Sequence, residues 1–448
     1  MGHINSLTLY DYLLIICILL FIIFIYKWIL LPCNIIEDLT DVGYDGGIFN
    51  KNNKNYYKLN KNKVKRSFYL QQLSANRKIG SIPPVYPNGW YALLESTDLS
   101  KGQVQYVAAL DENFAVIRDH NNKVTILNAY CPHLGANIAI GGVIRNTSTN
   151  NNCIECPFHG WRFDTTTGQC VSIPYTDKVP DKMNIKRWHC IEVNNLIYVW
   201  YHIDNIEPTY YIESNVNINS GSDGNAGWYY RGRNQLKVNC HIQEIPENGC
   251  DIAHLQSIHS LPVINGSKHL ILPSTTNLTF NSLLSYILSY LIQHTWSAKW
   301  FKHPDPAKSH IAVILIEQDL KLFNKISLLP LNLIVHQIGP SYVELLIKNN
   351  LLGSILITQC ILPEAPLIQK VIHHVYASKW YLAWFATLSL RGETIMFKRD
   401  VTIWNHKQYL NQPYLVKGDG PIMQYRRWYQ QFFTTNSKTY QHIINNNN

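Results

Sequence analysis

Residues 131–135 read CPHLG and residues 156–161 read CPFHGW, and these two stretches decide the fold of the region around them. Each contributes one cysteine and one histidine, in the spacings C-x-H and C-x-x-H. Thiolate and neutral imidazole are both common ligands of iron and zinc. The pattern therefore predicts a metal centre held by four side chains, namely Cys131, His133, Cys156 and His159.

Two kinds of centre use two cysteines and two histidines. In a Rieske [2Fe–2S] cluster the cysteines hold one iron and the histidines hold the other, which raises the reduction potential. A Cys2His2 zinc site usually takes its cysteines as one close pair and its histidines as another. Here each stretch mixes the two types, and Gly135 and Gly160 allow the backbone to turn tightly around a cluster. The pattern favours a Rieske cluster, with zinc as the alternative.

Composition describes an ordinary folded protein. The chain has 448 residues, of which 46% are hydrophobic and 12% aromatic, which is enough for two or three domains. Its ten cysteines are scattered and do not form a disulfide framework. An iron–sulfur cluster requires a reducing compartment. The net charge of +9 needs no nucleic-acid partner to explain it, and we expect none.

The N-terminal region is strongly apolar. Residues 13–31 read LLIICILLFIIFIYKWILL, with Lys27 as the single charge, which predicts one transmembrane helix. Lysines concentrated in residues 51–66 place the following body in the cytosol by the positive-inside rule, and we expect the endoplasmic reticulum membrane. Three alternatives stay open: a secretory signal peptide, N-myristoylation of the MGHINS start, and a merely solvated basic linker.

Changes in the residue pattern along the chain predict five segments. Short alternating strands separated by polar turns indicate an all-β Rieske domain. Longer apolar runs and helical segments after it indicate an α+β domain, a mostly antiparallel sheet with helices on one face. The predicted bounds are residues 1–33 (membrane anchor), 34–85 (basic Asn/Lys-rich linker), 86–205 (Rieske domain), 206–435 (catalytic domain) and 436–448 (disordered tail).

Secondary structure in the second domain follows from the same patterns. A helix is predicted over residues 247–259, and helical segments are predicted over 381–391 and 394–409. Residues 283–288, LLSYIL, could line or gate a lipid pocket, with ordinary packing as the alternative. Five stretches read as strands: 311–317, 331–337, 342–347, 355–361 and 371–376.

A second metal site is predicted in residues 247–259, ENGCDIAHLQSIH. His254 and His259 could join one carboxylate in the facial triad that holds non-haem Fe(II), and Asp400 is our choice for that carboxylate. Two surface histidines are the alternative. Asp251 could orient a ligating imidazole from the second shell, or simply lie on a helix surface. Asn248 is a weaker candidate for the same supporting role.

These motifs carry a family resemblance. Over residues 86–430 the chain resembles the Rieske non-haem iron oxygenases, in which the pattern E-N-x-x-D-x-x-H-x4-H binds the catalytic iron. Within them, residues 240–249, CHIQEIPENG, look most like Neverland-type cholesterol 7-desaturases. Bacterial 3-ketosteroid 9α-hydroxylases are more distantly similar.

The resemblance implies a division of roles. Cys131 and Cys156 would hold the outer iron of the cluster, and His133 and His159 the inner one. Asp251 would link a Rieske histidine to an iron-bound histidine across a subunit boundary, which implies a homotrimer. Electrons would come from NAD(P)H through a separate ferredoxin- or flavin-type reductase. The mononuclear Fe(II) would be bound by His254, His259 and Asp400.

The resemblance also implies the reaction, an O2-dependent introduction of a C7–C8 double bond into cholesterol to give 7-dehydrocholesterol. One alternative is a Rieske monooxygenase that hydroxylates another steroid, lipid or aromatic substrate. A second, from another class, is a non-catalytic electron carrier. Respiratory Rieske proteins have a cysteine in each loop where this chain has Ala136 and Phe158, so the carrier is disfavoured.

Overall fold

The computed structural model describes most of the chain, and every structural statement below concerns the described residues. The predicted pocket stretch 283–288, the basic run 51–66 and the MGHINS start lie outside them. The described ranges are residues 9–27, 31–39, 77–146, 152–180, 182–218, 227–259, 291–323, 325–349 and 353–446.

The Rieske part is built from three small antiparallel sheets, in agreement with the predicted all-β texture. Their strand orders are β10-β5-β4-β3, β11-β12-β2 and β6-β7-β8-β9. The strands are β2 (Gly89–Glu95), β3 (Gln103–Ala109), β4 (Glu112–Arg118), β5 (Val124–Asn128), β6 (Val143–Asn146), β7 (Asn152–Glu155), β8 (Arg162–Asp164), β9 (Cys170–Ser172), β10 (Arg187–Trp188), β11 (Cys190–Val193) and β12 (Leu196–Tyr201).

Two-residue turns set the register of this domain. Asn194 and Asn195 join β11 to β12 with φ of 55° and 61°. Two successive left-handed residues form the turn that matches the twist of antiparallel strands, and asparagine tolerates that conformation better than most residues. The chain can therefore reverse here without a glycine.

The catalytic part contains one eight-stranded sheet, in the order β1-β13-β19-β18-β17-β16-β15-β14. All neighbours are antiparallel except β1 and β13, and all five predicted strands lie within observed ones. The strands are β1 (Cys33–Glu37), β13 (Tyr229–Asn239), β14 (Ile292–Lys302), β15 (Ile311–Leu322), β16 (Ile326–Ile338), β17 (Tyr342–Asn349), β18 (Gly353–Ala365) and β19 (Ile368–Ala377).

At three places the structure differs from the sequence prediction. The predicted linker 34–85 contains most of β1, because β1 adds to the edge of the catalytic sheet by pairing with β13. The predicted helix 247–259 is two short helices, because Asp251 has a non-helical backbone (φ −84°, ψ 87°). The predicted tail 436–448 contains a helix, because Ile443 is buried in the core shared by both domains.

Six helices are described. The two helical segments predicted at 381–391 and 394–409 form a single helix, α4, since its buried face packs continuously against β13 and β19. The helices are α1 (Leu9–Ile25), α2 (Glu244–Glu247), α3 (Ile252–Ile258), α4 (Ala383–Trp404), α5 (Ile422–Tyr429) and α6 (Tyr440–Asn446).

Helix α1 covers part of the predicted transmembrane segment. It has 17 residues, and most of its apolar side chains are exposed. Of the helices described, none is both long and apolar enough to cross a membrane.

Candidate functional site: a cluster-binding pair of loops and a buried metal triad

The two cysteine–histidine stretches form matching turns. The first follows β5, and the second connects β7 to β8. In each turn the glycine N–H donates to the carbonyl oxygen of the cysteine four residues earlier, at 2.9 Å for Gly135 to Cys131 and 3.1 Å for Gly160 to Cys156. Both glycines have left-handed backbones, with φ of 72° and 70°. Such a conformation strains any residue with a Cβ, which explains the glycine at the same place in each loop.

The four predicted cluster ligands lie together. The rings of His133 and His159 are 4.7 Å apart between centroids, and both side chains are half-buried. Cys131 and Cys156 are buried with their thiols in contact, and burial raises the pKa of Cys131 to about 11. Two buried sulfurs on one side and two imidazoles on the other fit the ligand set of a [2Fe–2S] cluster with two nitrogen donors.

Trp161 supports this centre, a role that the motif alone did not reveal. Its ring stacks on His133, with centroids 4.5 Å apart and planes 7° apart. Its Nε1–H donates to the hydroxyl of Tyr175 at 2.6 Å. The stack fixes the plane of the imidazole, and the hydrogen bond fixes the indole.

The predicted iron ligands His254 and His259 lie on and at the end of α3. Asp251 caps this helix, since its carboxylate accepts the backbone N–H of His254 at 3.3 Å. The Asp251 carbonyl oxygen contacts Nδ1 of His254. A proton on Nδ1 satisfies that carbonyl and leaves Nε2 as the metal-binding nitrogen. Burial lowers the pKa of His254, which favours the neutral ligand form.

Asp400 comes from α4 and meets these histidines. Its Oδ1 lies 3.2 Å from Nε2 of His259, and the side chains of this pair are only 10% and 5% exposed. One ligand atom from each of His254, His259 and Asp400 lies within 4.8 Å of the others. The fold thus brings the three predicted ligands together, although Asp400 is far from the histidines in sequence.

The donor set fits a metal ion. Asp400 Oδ1 is buried and makes no hydrogen bond among the described residues, although Nε2 of His259 lies 3.2 Å away. Leaving buried polar atoms unpaired costs about 1–3 kcal/mol each. A cation between the carboxylate and the imidazoles would offset part of that cost. Two nitrogen donors and one oxygen donor form the set typical of non-haem Fe(II).

Two side-chain contacts hold α3 and the short helix before it, α2, in place. Arg399, next to Asp400 on α4, donates to the carbonyl oxygen of Ile258 at 3.0 Å and so joins the two ligand-bearing helices. Arg426 of α5 binds both carboxylate oxygens of Glu247 at 2.8 Å. Asn248 follows directly, is half-buried, and donates its backbone N–H to Ile245.

Sequence reasoning missed a half-buried carboxyl group on the same helix as Asp400. Burial, with a further contribution from the Asp400 charge, raises the pKa of Glu393 to about 7, while His259 acts in the opposite direction. Its Oε1 lies 3.8 Å from Nε2 of His373. Glu393 precedes Asp400 by seven residues, or two helical turns, so the two share a face of α4. That spacing was the signal that could have identified it.

His373 extends a polar chain across the sheet. Its Nδ1 lies 2.7 Å from Asn234 Oδ1, and its Nε2 lies 3.1 Å from Gln359 Oε1. Asn234 in turn donates to Thr394 of α4 at 2.8 Å. Burial lowers the pKa of His373 to about 3, so it is neutral at physiological pH.

His294 is a second residue that the motifs did not predict. It lies on β14, where Gln318 Nε2 is 2.9 Å from its Nδ1. Burial lowers its pKa to about 4, with smaller effects from the charges of Arg399 and His259. It lacks a sequence signature, since a single histidine in a strand has no motif.

Comparison with known proteins identifies both domains. Residues 89–186 match the Rieske [2Fe-2S] domain, and residues 199–433 match the 3-ketosteroid 9α-hydroxylase C-terminal domain. A cholesterol 7-desaturase of Xenopus laevis is 37% identical over 428 residues, which cover 95% of this chain and 86% of that protein. One from Caenorhabditis elegans is 36% identical over 422 residues, covering 93% and 90%. The chain belongs to the cholesterol 7-desaturase family of Rieske oxygenases.

Family membership confirms the resemblance predicted from the motifs. The protein is an oxidoreductase with a Rieske [2Fe–2S] cluster and a mononuclear iron. The crystal structure of dicamba monooxygenase bound to dicamba shares the fold, with a TM-score of 0.51 and 14% identity, over 78% of this chain and 98% of that one. At that identity the likeness concerns the fold alone.

Proposed function

We propose that this protein is a cholesterol 7-desaturase. The observation that carries the proposal is the buried triad of His254, His259 and Asp400 in a chain that also has the Rieske loops and long matches to cholesterol 7-desaturases. The reaction would remove one hydrogen each from C7 and C8 of cholesterol. With O2, NAD(P)H and a proton it would give 7-dehydrocholesterol, NAD(P)+ and two water molecules.

Each metal site would have its own ligands. Cys131 and Cys156 would hold one iron of the cluster, and His133 and His159 the other. His254, His259 and Asp400 would hold the mononuclear iron, which supplies O2 activation when bound.

The protein groups around the triad would orient ligands and handle protons. The Asp251 carbonyl would hold His254 with Nε2 directed to the metal, and Arg399 would keep α3 against α4. Glu393 would hold a proton on its carboxyl group near neutral pH and could release it toward the site. Asn248 would support the turn before α3.

Electrons would reach the iron from a neighbouring subunit. Asp251 is half-buried at the start of α3, where its carboxylate could also accept a hydrogen bond from a Rieske histidine of a second copy. Such an arrangement requires a closed ring, and we propose a homotrimer. A separate NAD(P)H-dependent ferredoxin- or flavin-type reductase would supply the cluster.

Helix α1 would attach the protein to a membrane. Its exposed apolar side chains cost free energy in water, and a sterol substrate is concentrated in bilayers. We propose that residues 13–31 form the single anchor in the endoplasmic reticulum membrane, with the catalytic body in the cytosol.

Sterol analysis of cells that express the chain tests the proposed activity. We expect 7-dehydrocholesterol in cholesterol-fed cells that express the wild type, and none in cells that express Asp400→Ala at the same level. A hydroxylated sterol instead would indicate a monooxygenase, as the match to a steroid hydroxylase domain allows. No sterol product in either cell line would contradict both.

A further inference from the structure

The two ends of the catalytic sheet differ in what surrounds them. The Rieske domain packs along β13 and β19, where Glu95 contacts Arg233 and His374, and against one end of β17 and β18. There the Leu110 N–H donates to the Pro363 carbonyl oxygen at 2.9 Å, and the Ser341 hydroxyl contacts the Trp90 carbonyl. The opposite end carries the β15–β16 hairpin and the junction between β19 and α4.

This opposite end exposes large apolar side chains, which we call the apolar rim. Three lie on the β15–β16 hairpin, two lie four residues apart on one face of α4, and one lies in the 3-10 turn just before that helix. Their exposed fractions range from 45% to 70%. Clustered exposed apolar groups of this kind mark interaction surfaces. The apolar rim consists of Phe323, Ile326, Leu328, Trp380, Trp384 and Leu388.

Strand register places both groups at the same end. Ala377, where β19 ends, is linked to Ile316 of β15 through successive cross-strand pairs. The two residues therefore lie at the same position along the strand direction of the sheet. From Ile316 to Leu322 the strand continues for six more residues (322 − 316 = 6). At ~3.3 Å per residue the hairpin projects about 20 Å past that level. The partners that link the two strands are Ile355, Ile347 and Leu333.

Helix α1 joins the body at this end too. Cys33, the first residue of β1, pairs with Gly232, which pairs with Val375 near the end of β19. Strand β1 runs from there away from the rim, so Leu31 and Pro32, just before it, lie toward the rim end. Helix α1 ends at Ile25, and the Leu31 N–H donates to the Tyr26 carbonyl oxygen at 3.0 Å, which keeps the connection short.

Charge at this end favours an anionic lipid surface over a protein groove. Lys325, Lys348 and Lys379 are exposed around the rim, and Lys27 is exposed just after α1. The nearby Asp319 accepts a hydrogen bond from Ser327. Tryptophan at a membrane interface and lysine near anionic headgroups are both stabilising.

We propose that the apolar rim rests on a lipid bilayer, so that the protein contacts the membrane through its catalytic domain as well as through α1. The inference rests on the proposed membrane attachment of α1 and extends it to the body. It orients the catalytic sheet with the apolar rim at the headgroups and the end that carries Pro363 and Ser341 away from them.

A matched pair of tryptophan substitutions tests the proposal on the full-length holoprotein. Ile326→Trp places a new fluorophore on the rim at a position 57% exposed, and Tyr211→Trp places one at a position 60% exposed beside Trp90 at the Rieske-covered end. Each is reconstituted into phosphatidylcholine–phosphatidylserine vesicles, with and without bromine on the acyl chains. Bromolipid quenches only fluorophores that touch lipid, and α1 is intact in both proteins.

We expect the added fluorescence of Ile326→Trp to fall at least twofold in brominated vesicles and that of Tyr211→Trp to stay unchanged. Removing Trp380 and Trp384 as Trp380→Phe/Trp384→Phe should lower the quenchable fraction of the wild type. Equal fluorescence of Ile326→Trp in both vesicles would overturn the proposal, and shielding of that residue from aqueous acrylamide would then assign the rim to a protein contact.

Co-sedimentation with the same vesicles reports separately on α1. Bound protein with an unquenched rim would overturn the present inference alone, whereas unbound protein would overturn the membrane anchor too. Neither readout requires turnover, so the proposed sterol chemistry can fail without affecting either result.

Discussion

The two metal sites of this protein are built in opposite ways. The proposed cysteine ligands of the Rieske site come from two turns 25 residues apart (156 − 131 = 25) within one domain. The proposed iron site takes His259 from the end of α3 and Asp400 from α4, 141 residues later (400 − 259 = 141). One site is formed by local turn geometry, and the other by the packing of helices against a sheet.

This difference has a physical consequence. A turn such as 131–135 is set by its own hydrogen bonds and by the left-handed Gly135, so it depends little on distant parts of the chain. The triad depends on Arg399 holding α3 to α4. We therefore expect the iron site to be lost by changes that leave the cluster intact.

The largest effect should come from removing one ligand of each site. Asp400→Ala should abolish turnover and leave two irons per chain, with the absorption and electron paramagnetic resonance spectra of the Rieske cluster unchanged. Cys156→Ser should abolish turnover by loss of the cluster, while the mononuclear iron is retained. Iron analysis together with both spectra measures the separation. Loss of the cluster signal in Asp400→Ala would mean that the two sites fold as one unit.

Glu393→Gln should show that the iron site needs a proton as well as a metal. Glutamine keeps the shape and loses the proton, so kcat should fall about 100-fold, at the low end of what acid–base catalysis contributes. The pH dependence of kcat near 7 should flatten, because the pKa of Glu393 is raised to about 7. The control is His406→Gln on the exposed end of the same region. An unchanged pH profile in Glu393→Gln would exclude the proton role.

Acid should destabilise the catalytic part through its buried neutral histidines. Burial lowers the pKa of His241 to about 4, and its ring contacts Pro84 O at 3.0 Å and the N–H of Gln243 at 3.2 Å. The unfolded chain, with a histidine pKa of about 6.5, binds the proton first. Stability therefore falls as the pH drops from about 6.5 to 4.

The expected loss of folding stability on acidification is modest. At pH 5.5 one such histidine contributes about 1 kcal/mol, or a melting temperature lower by about 1–3 °C. The melting temperature of His241→Gln should be lower than that of the wild type at pH 7.5. It should fall by less than the wild-type value when the pH is lowered to 5.5. Thermal melts of both proteins at pH 7.5 and 5.5 measure this, and an equal loss in both would rule out His241 as a contributor.

The smallest effect concerns the Rieske site. Trp161→Leu removes the ring stacked on His133 and admits water, which stabilises the more negative reduced cluster. The reduction potential should rise by tens of mV, with iron content unchanged. Trp161→Phe keeps an aromatic ring and should shift the reduction potential less. Tyr175→Phe should also shift the potential less than Trp161→Leu does. A redox titration measures these potentials. If all three variants have the wild-type potential, the stacking of Trp161 on His133 has only a structural role.

The contrast between local turns and helix packing also explains how far the sequence could predict these sites. The proposed ligands in the loops at 131–135 and 156–161 could be recognised directly, since ligand spacing within a tight turn is a local property. His254 and His259 were recognisable as a pair, and Asp400 was chosen from a distant helix that the sequence only outlines. The roles of Asp400, Asp251 and Asn248 remain proposals.

What the sequence could not predict depends on tertiary packing. Glu393, His373 and His294 have no motif, because the contacts around them form only when α4, β19 and the β14–β15 pair assemble. Strand β1 looked like linker because five residues at a sheet edge carry too weak a pattern. The helix near the C-terminus looked disordered because its stability comes from the burial of Ile443, not from its asparagine-rich composition.

The most direct test of two coupled metal sites is a single-turnover reaction without reductase. The holoprotein is chemically reduced, mixed with cholesterol and exposed to O2, and product and cluster oxidation are followed together. We expect up to one 7-dehydrocholesterol per active site, formed as the cluster is oxidised, and no product from Asp400→Ala. Cluster oxidation by the wild type without any change in the sterol, or equal product from Asp400→Ala, would contradict the assignment.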